Sequence, residues 1–392
     1  MPPIQSGLEK FIANPPADLK GQRLGLLCNP ASIDRKFRHA RDLIMKRFPG
    51  QLTTLFSPQH GFYSEKQDNM VESEDLRDPE TGLTVFSLYG HTRVPTADMF
   101  DGIDTLLIDL QDVGTRVYTF ATTVSYCLEI AREMDKQVIV LDRPNPINGI
   151  QMEGNRLKRP FASFVGRYPI PMRHGLTLGE YARYINEVYR IGCRLEVIPM
   201  QGWHRHMCFS DTGLPWIPPS PNLPTATSAL VYPGQVILEG TNISEGRGTT
   251  TPFEIFGAPF IEPNKIAAFM GGHQFPGGVL RTVAFEPMFH KWQHQSCRGF
   301  HLHITRPPAY NAYQTTLRLL QAVMYHHPEK FAWRNPPYEY EWEKLPIDLI
   351  LGDAAIRERL ERFEPLERIE AGWLADLTDF QKEINPYFLY EQ

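Results

Sequence analysis

Residues 105–116 read TLLIDLQDVGTR, and they carry the clearest indication of the fold class. The segment starts almost wholly apolar and then turns polar at Gln111 and Asp112, as expected of a buried strand that stops at a loop. A helical segment at 122–136 and a second apolar run at 137–141 follow. A strand, a helix and a strand in this order predict a parallel sheet covered by helices.

The same apolar pattern recurs elsewhere, with runs at 23–29, 52–57, 84–89 and 194–200. Between them we predict helices at 39–48 and 177–189. The loop after the first strand lacks the GxGxxG spacing that a dinucleotide-binding turn needs. The first part of the chain is therefore predicted to be a Rossmann-like parallel sheet without a dinucleotide fingerprint.

The pattern changes near residue 235. Residues 229–232, ALVY, look strand-like, and the remainder mixes strands at 281–285 and 301–305 with helices at 312–326 and 354–363. We predict a Rossmann-like catalytic domain over residues 1–235. A smaller α+β domain over residues 236–392 is predicted to contribute to the cleft.

Composition excludes several classes of protein. The 392 residues carry a formal net charge of −5 without a basic stripe, which does not favour a nucleic-acid partner. No run of about 18 apolar residues occurs, so no membrane span is predicted. The five cysteines form no CxxC pair and no secretory signal is visible, so we expect a cytoplasmic protein, with export of a processed precursor left open. The histidines lack metal-site spacing, and neither a metal nor another cofactor is predicted.

Polar residues follow each predicted strand. Ligands of open α/β sheets bind beyond the carboxyl ends of the strands, so we expect these side chains to meet in one crevice. The strand-end residues are Asn29, Gln59, His60, Gly61, Tyr89, Gly90, His91, Gln111, Asp112, Asp142 and Arg143.

Two neighbouring segments extend this candidate site. Arg116 and Tyr118 follow Asp112 closely, and the arginine either clamps a ligand or forms a structural ion pair with Asp112. Asn145 is held between two prolines, which suits rigid recognition of a sugar. His174 is a candidate acid, base or ligand group, whereas Glu180 reads as part of a helix capping box with Thr177.

Residues 239–254, EGTNISEGRGTTTPFE, combine the carboxylates of Glu239 and Glu245 with Arg247 on a glycine-rich backbone. Paired carboxylates are what glycoside hydrolysis requires, because one protonates the leaving oxygen and the other acts as base or nucleophile. Each glutamate has the alternative of holding the loop in shape. Arg247 has the alternative of holding a phosphate, as in a sugar-phosphate transferase or isomerase.

Taken together these motifs resemble the exo-β-N-acetylmuramidases of the NamZ family. The resemblance rests on residues 57–62 (SPQHGF), 87–90 (SLYG), 108–119 (IDLQDVGTRVYT), 141–146 (LDRPNP), 163–166 (SFVG), 173–175 (RHG), 219–224 (PSPNLP) and 239–250. It implies a Rossmann-like domain, a cleft against a smaller C-terminal domain and no cofactor. It also implies release of N-acetylmuramic acid from the non-reducing end of peptidoglycan fragments, either muropeptides or disaccharides.

On this resemblance the candidate catalytic groups are Glu245 or Glu239, assisted by Asp112 or His174. Candidate substrate-binding residues are Gln59, His60, Gln111, Arg116, Tyr118, Asp142, Arg143, Asn145, Asn222, Asn242 and Arg247. The lactyl carboxylate of muramic acid would pair with Arg116, Arg143 or Arg247.

The sequence departs from the family pattern at two positions. The family usually has Glu-His-Gly after the second strand, whereas this chain has Gln59, and an amide neither donates an acid proton at neutral pH nor acts as a strong base. The alternative function is therefore a catalytically altered or inactive carbohydrate-binding relative. Ser64 stands where the family tends to have glycine.

Overall fold

The computed structural model describes residues 4–68 and 70–391. The strands are β1 (Leu24–Cys28), β2 (Leu52–Ser57), β3 (Leu76–Arg77), β4 (Thr84–Ser87), β5 (Thr105–Asp109), β6 (Gln137–Leu141), β7 (Glu153–Arg156), β8 (Pro171–Arg173), β9 (Arg194–Ile198), β10 (Ile255–Ala258), β11 (Gln274–Phe275), β12 (Gly278–Phe285) and β13 (Cys297–Ile304). The α-helices are α1 (Gly7–Ala13), α2 (Ala40–Arg47), α3 (Ala97–Phe100), α4 (Phe120–Glu133), α5 (Leu178–Val188), α6 (Ala226–Gln235), α7 (Pro263–Phe269), α8 (Ala312–His326), α9 (Pro346–Leu351), α10 (Ala354–Glu361), α11 (Leu366–Ala371) and α12 (Leu374–Ile384). Short 3₁₀ segments lie at Ala17–Leu19, Arg159–Phe161, Phe209–Asp211, Val236–Gly240, Pro307–Ala309 and Asn385–Tyr387.

A seven-stranded sheet forms the first half of the chain, in the order β3-β4-β2-β1-β5-β6-β9. All of its pairings are parallel except that of β3 with β4. Every residue of β1 and β5 is buried, as expected of parallel strands covered on both faces. The predicted α/β class is confirmed, and the strands predicted at 52–57 and 137–141 have the observed bounds.

The direction of winding reverses at β1. The chain runs from β1 to β2 and β4 on one side, then crosses back to β5, β6 and β9 on the other. Loops on either side of such a reversal point diverge and leave a crevice. Here Asn29, directly after β1, donates from Nδ2 to the carbonyl of Pro219 at 2.9 Å, so the 209–222 segment is fastened across this edge of the sheet.

The strand-like reading of residues 229–232 is wrong, because they lie inside helix α6. Thr225 caps this helix and forms a capping box with Ser228. All residues from Ser228 to Gln235 are buried. A short helix that is apolar all round has no hydrophobic periodicity, so its sequence resembles that of a buried strand.

The second half of the chain carries an antiparallel sheet in the order β10-β13-β12-β11, packed with helices α7 to α12. It confirms the predicted α+β character. Phe120 and Val124 of α4 belong to the same continuous hydrophobic core as Leu320 of α8 and Ile347 of α9. This shared core holds the 236–254 and 338–341 segments against the strand-end loops of the large sheet.

Candidate active site

A cavity lies where the loops after β2 and β5 face the second half of the chain, with about 400 Å³ of empty space when the part open to solvent is counted. Its polar lining consists of Gln59, His60, Tyr118, Thr119, Ser220, Asn222, Tyr232, Glu239, Arg247, Tyr338 and Glu339. Its apolar lining consists of Val117, Val165, Leu223 and Phe253. Six of the predicted site residues therefore meet here: Gln59, His60, Tyr118, Asn222, Glu239 and Arg247.

Gln59 and His60 enter the cavity on a tight turn that follows β2. His60 adopts a φ of 78°, a left-handed conformation that is uncommon outside glycine. Its Nδ1 lies 2.7 Å from the carbonyl oxygen of Lys66, and burial lowers the pKa of His60 to about 4. Ser64, where the family tends to have glycine, also has a positive φ, of 53°. This turn therefore accounts for the glycine preference.

Gln59 connects the large sheet to Glu339, a residue 280 positions further along the chain. The hydroxyl of Thr119, at the start of α4, donates to Gln59 Oε1 at 2.6 Å. The amide Nε2 of Gln59 then donates to Glu339 Oε1 at 3.1 Å. The amide at position 59 is thus placed as a donor to a carboxyl group that another segment supplies.

Glu339 is the carboxyl group that sequence reasoning missed. Its Oε2 accepts a second hydrogen bond from the hydroxyl of Tyr89 at 2.6 Å. Burial raises the pKa of Glu339 to about 7. The hydrogen bonds from Tyr89 and Gln59 act to lower this pKa, whereas the negative charge of Glu239 acts to raise it. A carboxyl group with a pKa near neutrality is equipped to hold and release a proton at physiological pH.

The backbone around Glu339 is a tight turn. Tyr338 and Glu341 exchange two backbone hydrogen bonds of 3.0 Å, and the two residues between them, Glu339 and Tyr340, have φ values of 46° and 66°. Two successive left-handed residues define a type I′ turn, which glycine and asparagine usually occupy. The turn lets the adjacent side chains of Tyr338 and Glu339 both line the cavity, at a conformational cost of roughly 1–3 kcal/mol per residue.

Glu239 is the second carboxyl group of the cavity. Its Oε1 accepts from Arg247 Nη2 at 2.7 Å, and its Oε2 accepts from the hydroxyl of Tyr338 at 2.6 Å. Burial alone would lower the pKa of Arg247, but the charges of Glu239 and Glu245 raise it. The guanidinium charge is compensated by two carboxylates, an arrangement that does not favour capture of a phosphate.

Glu245 does not line the cavity and lies fully buried behind Arg247. Its carboxylate lies 3.2 Å from Arg247 Nε, 2.8 Å from Lys291 Nζ and 3.3 Å from His290 Nδ1. Burial would raise the pKa of Glu245, but Lys291, the contact with His290 and Arg247 lower it well below the usual value. We therefore treat Glu245 as a permanent anion that positions Arg247, and not as the proton donor.

Asp112 and His174 are neighbours beneath the cavity and do not line it. His174 Nε2 lies 3.9 Å from Asp112 Oδ2, and both side chains are buried. Burial raises the pKa of Asp112 to about 7 and lowers that of His174 to about 3. Asp112 accepts from the backbone N–H of Gly114 at 2.7 Å, and His174 Nδ1 accepts from that of Leu176 at 3.1 Å.

Arg116 forms no ion pair with Asp112, and it does not line the cavity. Its guanidinium donates four hydrogen bonds, all to backbone carbonyls, of Asn155, Ile170, Ile350 and Leu351, at 2.8–3.0 Å. These carbonyls belong to both halves of the chain. The observed contacts assign Arg116 a structural role, in contrast to both alternatives drawn from the sequence.

Asp142 and Asn145 also form hydrogen bonds that hold the fold, and neither lines the cavity. Asp142 accepts from the hydroxyl of Thr177 at 2.7 Å and from the N–H of Gly179 at 2.8 Å, so it stabilises the N-terminus of α5. Burial raises the pKa of Asp142 to about 6. Asn145 donates to the carbonyl of Leu176 at 2.9 Å. The capping box predicted for Thr177 and Glu180 is confirmed.

The expected single crevice is in fact divided. Gln111 and Arg143 line a separate small cavity, together with Phe209 and Trp216. Arg143 binds Asp109 through two bonds of 2.6 and 2.8 Å. Asn242 lines neither of these two cavities. Its side chain forms hydrogen bonds with the backbone of Lys330 and Ala332. Phe209 and residues 214–217 form the opposite wall of the cavity that Gln111 and Arg143 line.

The missed residues share a weak sequence signal. Residues 338–341 read YEYE, an alternation of aromatic and acidic residues without a flanking helix or strand pattern. Nothing in this spacing indicates that the segment meets Gln59.

Within residues 4–68 and 70–391 no group of three or more His, Cys, Asp or Glu side chains is placed to hold a metal ion. None of the helices in the described part of the chain combines the length and apolar character that crossing a membrane requires.

Comparisons with known proteins bear on this geometry. The family models of the N- and C-terminal parts of exo-beta-N-acetylmuramidase NamZ match residues 24–227 and 230–390. The peptidoglycan beta-N-acetylmuramidase NamZ of Bacillus subtilis strain 168 is 38% identical over 389 residues, covering 99% of this chain and 92% of that protein. Crystal structures of two DUF1343 family proteins of Bacteroides fragilis NCTC 9343 are similar in fold. One has 33% identity and a TM-score of 0.88, the other 27% and 0.75, and each comparison covers 99% of both chains.

Proposed function

The chain belongs to the exo-beta-N-acetylmuramidase NamZ family, and from this premise we propose that it is a glycoside hydrolase that releases N-acetylmuramic acid from the non-reducing end of peptidoglycan fragments. The substrate is a disaccharide of N-acetylmuramic acid and N-acetylglucosamine, or a longer muropeptide fragment. The observation that carries the proposal is the pair of buried carboxyl groups, Glu239 and Glu339, that line one cavity.

Glu339 is the proton donor in this proposal. Hydrolysis needs a carboxylic acid that is protonated before the reaction and gives its proton to the glycosidic oxygen as the bond breaks. The raised pKa of Glu339, about 7, fits that requirement. Gln59 and Tyr89 hold the carboxyl group in place through one hydrogen bond to each oxygen.

Glu239 supplies the negative charge that the reaction needs. Positive charge builds on the sugar ring in the transition state, and a carboxylate close to the ring stabilises it. The ion pair with Arg247 and the bond from Tyr338 fix its orientation. Of the three arginines considered for the lactyl carboxylate, only Arg247 lines the cavity. Its charge is already compensated by Glu239 and Glu245, so none of the three is assigned to that contact.

The test is incubation with the β-1,4-linked disaccharide of N-acetylmuramic acid and N-acetylglucosamine, followed by mass spectrometry. We expect both free sugars. Fragments that carry N-acetylglucosamine at the non-reducing end should stay intact, and their cleavage would contradict the exo-acting specificity. The free state of all five cysteines supports a cytoplasmic location, in which such fragments would arrive by import.

The second candidate function is carbohydrate binding without turnover, and the amide of Gln59 is the observation that favours it. In this case the disaccharide binds, no sugar is released, and Gln59→Glu gains activity. Release of N-acetylmuramic acid by the unmodified protein would exclude this candidate.

A further inference from the structure

An open groove of about 1280 Å³ lies beside the reaction cavity. One wall comes from Thr249 and Thr250 of the glycine-rich segment, and the other from Phe285 at the end of β12 and from Glu286, Met288 and Phe289 after it. The side chain of Met288 is 59% exposed. None of the assignments made above uses this groove.

The groove and the cavity share a rim. Asn222 lines both of them, and its Nδ2 donates to the carbonyl of Gln67, a groove residue, at 2.7 Å. Arg247 of the cavity contacts the same carbonyl oxygen at 3.4 Å. A ligand that fills the cavity and extends beyond it past Asn222 therefore enters the groove.

The groove wall is held in place by Gly248. This residue has a φ of 80°, and a Cβ at this position would lie 2.6 Å from the carbonyl oxygen of Phe289. Its own carbonyl accepts from the N–H of Met288 at 2.9 Å. The glycine thus permits the backbone of 288–289 to lie directly on the glycine-rich segment, which presents Met288 and Phe289 beside the two threonine hydroxyls.

The chemistry of the lining selects a neutral ligand. Among the described residues that line the groove, Glu286 is the only charged one, so an anionic group finds no cation there. Apolar side chains beside hydroxyl and amide groups suit a pyranose, which has an apolar face and a hydroxylated edge. N-acetylglucosamine is neutral and meets both conditions.

We propose that this groove is the leaving-group subsite, in which Met288 and Phe289 pack against a neutral N-acetylglucosamine residue and the hydroxyl of Thr250 binds its edge. The hydroxyl of Thr249 instead donates to the carbonyl of Gly246 and shapes the wall. This inference rests on the proposed function, since it assigns the cavity to the N-acetylmuramic acid that is released. Beyond this subsite the groove is open, so longer fragments extend into solvent.

The experiment compares two substrates, the natural disaccharide and N-acetylmuramyl β-fluoride, whose leaving group is a single atom that makes no groove contact. For Met288→Ala and Phe289→Ala we expect the ratio of kcat/KM for the disaccharide to that for the fluoride to fall about tenfold, the size expected for loss of one apolar contact. Phe269→Ala, an exposed aromatic residue outside the groove, is the matched control and should preserve the ratio. An unchanged ratio in both groove variants would overturn the proposal.

A binding measurement separates this proposal from the proposed function. Free N-acetylglucosamine is titrated into the unmodified protein and into the three variants, with chemical-shift or calorimetric detection. We expect weak binding that both groove variants weaken about tenfold and that Phe269→Ala preserves. If neither substrate is hydrolysed but this pattern holds, the hydrolase function fails and the sugar subsite stands. Equal binding by all four proteins would refute the subsite.

Discussion

Replacing Glu339 by glutamine is the most informative single change. The substitution keeps the size of the side chain and removes its ability to carry a proton. Tyr89 and Gln59 still find a polar group at hydrogen-bond distance. The variant therefore tests the acid role without creating a cavity.

Two magnitudes follow from the structure. A general acid contributes about 10²–10⁴-fold to the rate, so kcat/KM for the disaccharide should fall by that factor. The pKa of Glu339 is raised from 4.5 to about 7, which corresponds to roughly 3 kcal/mol of unfavourable free energy when the group is ionised in the folded protein. The contribution of Glu339 to the free energy of unfolding is fully present below about pH 4.5, and it is lost as the pH rises through 7.

Glu339→Gln should therefore unfold at the same denaturant concentration as the unmodified protein at pH 4. At pH 8 it should be more stable, by up to about 3 kcal/mol. The assays are urea unfolding at both pH values and steady-state kinetics with the disaccharide and the β-fluoride. Since fluoride departs without a proton, its hydrolysis should be spared relative to that of the disaccharide.

Glu343→Gln is the matched control, because Glu343 is an exposed glutamate in the same loop. It should change neither kinetics nor the pH dependence of stability. The acid assignment is refuted if Glu339→Gln keeps the activity towards the disaccharide within tenfold. A stability difference between Glu339→Gln and the unmodified protein that is the same at pH 4 and pH 8 would refute the raised pKa.

Three further changes test other parts of the site. Gln59→Glu places a second carboxyl group about 3 Å from that of Glu339, so the basic limb of the kcat/KM profile against pH should move up by about one unit; an unmoved limb would contradict the contact. Glu245→Gln leaves Lys291 without its buried anion and should lower the free energy of unfolding by about 3–5 kcal/mol, measured by urea denaturation; a loss below about 1 kcal/mol would show that the cations find other partners. The lysine in Arg116→Lys cannot reproduce the four hydrogen bonds to carbonyls. The free energy of unfolding should therefore fall by about 2–4 kcal/mol while KM stays unchanged. A raised KM without loss of stability would support the alternative that Arg116 contacts the ligand.

The Gln59 contact changes how the departure from the family pattern is interpreted. From the sequence alone, an amide in place of the expected glutamate suggested altered or lost activity. In the folded protein the amide donates to a carboxyl group whose pKa is near 7. The family glutamate at this position would lie against Glu339, where two carboxyl groups share one proton.

Local pattern was sufficient to predict the fold class. Apolar runs of five or six residues predict strands buried on both faces, and a sheet of parallel strands brings the loops after them to one edge. Gln59 and His60 line the cavity as that rule led us to expect, whereas Asp112 and Asp142 do not. Of the predicted carboxylate pair, Glu239 lines the cavity and Glu245 does not.

The partner of each buried charge was decided only by the tertiary structure. Glu239 and Glu245 look equivalent in sequence, yet one lines the cavity and the other lies next to Arg247, Lys291 and His290. Arg116 sits beside Asp112 in the chain and bonds instead to carbonyls up to 235 residues away. Glu339 reaches Gln59 across 280 residues. A carboxylate's pKa and role depend on burial and on neighbours brought by distant segments, and no local pattern encodes those distances.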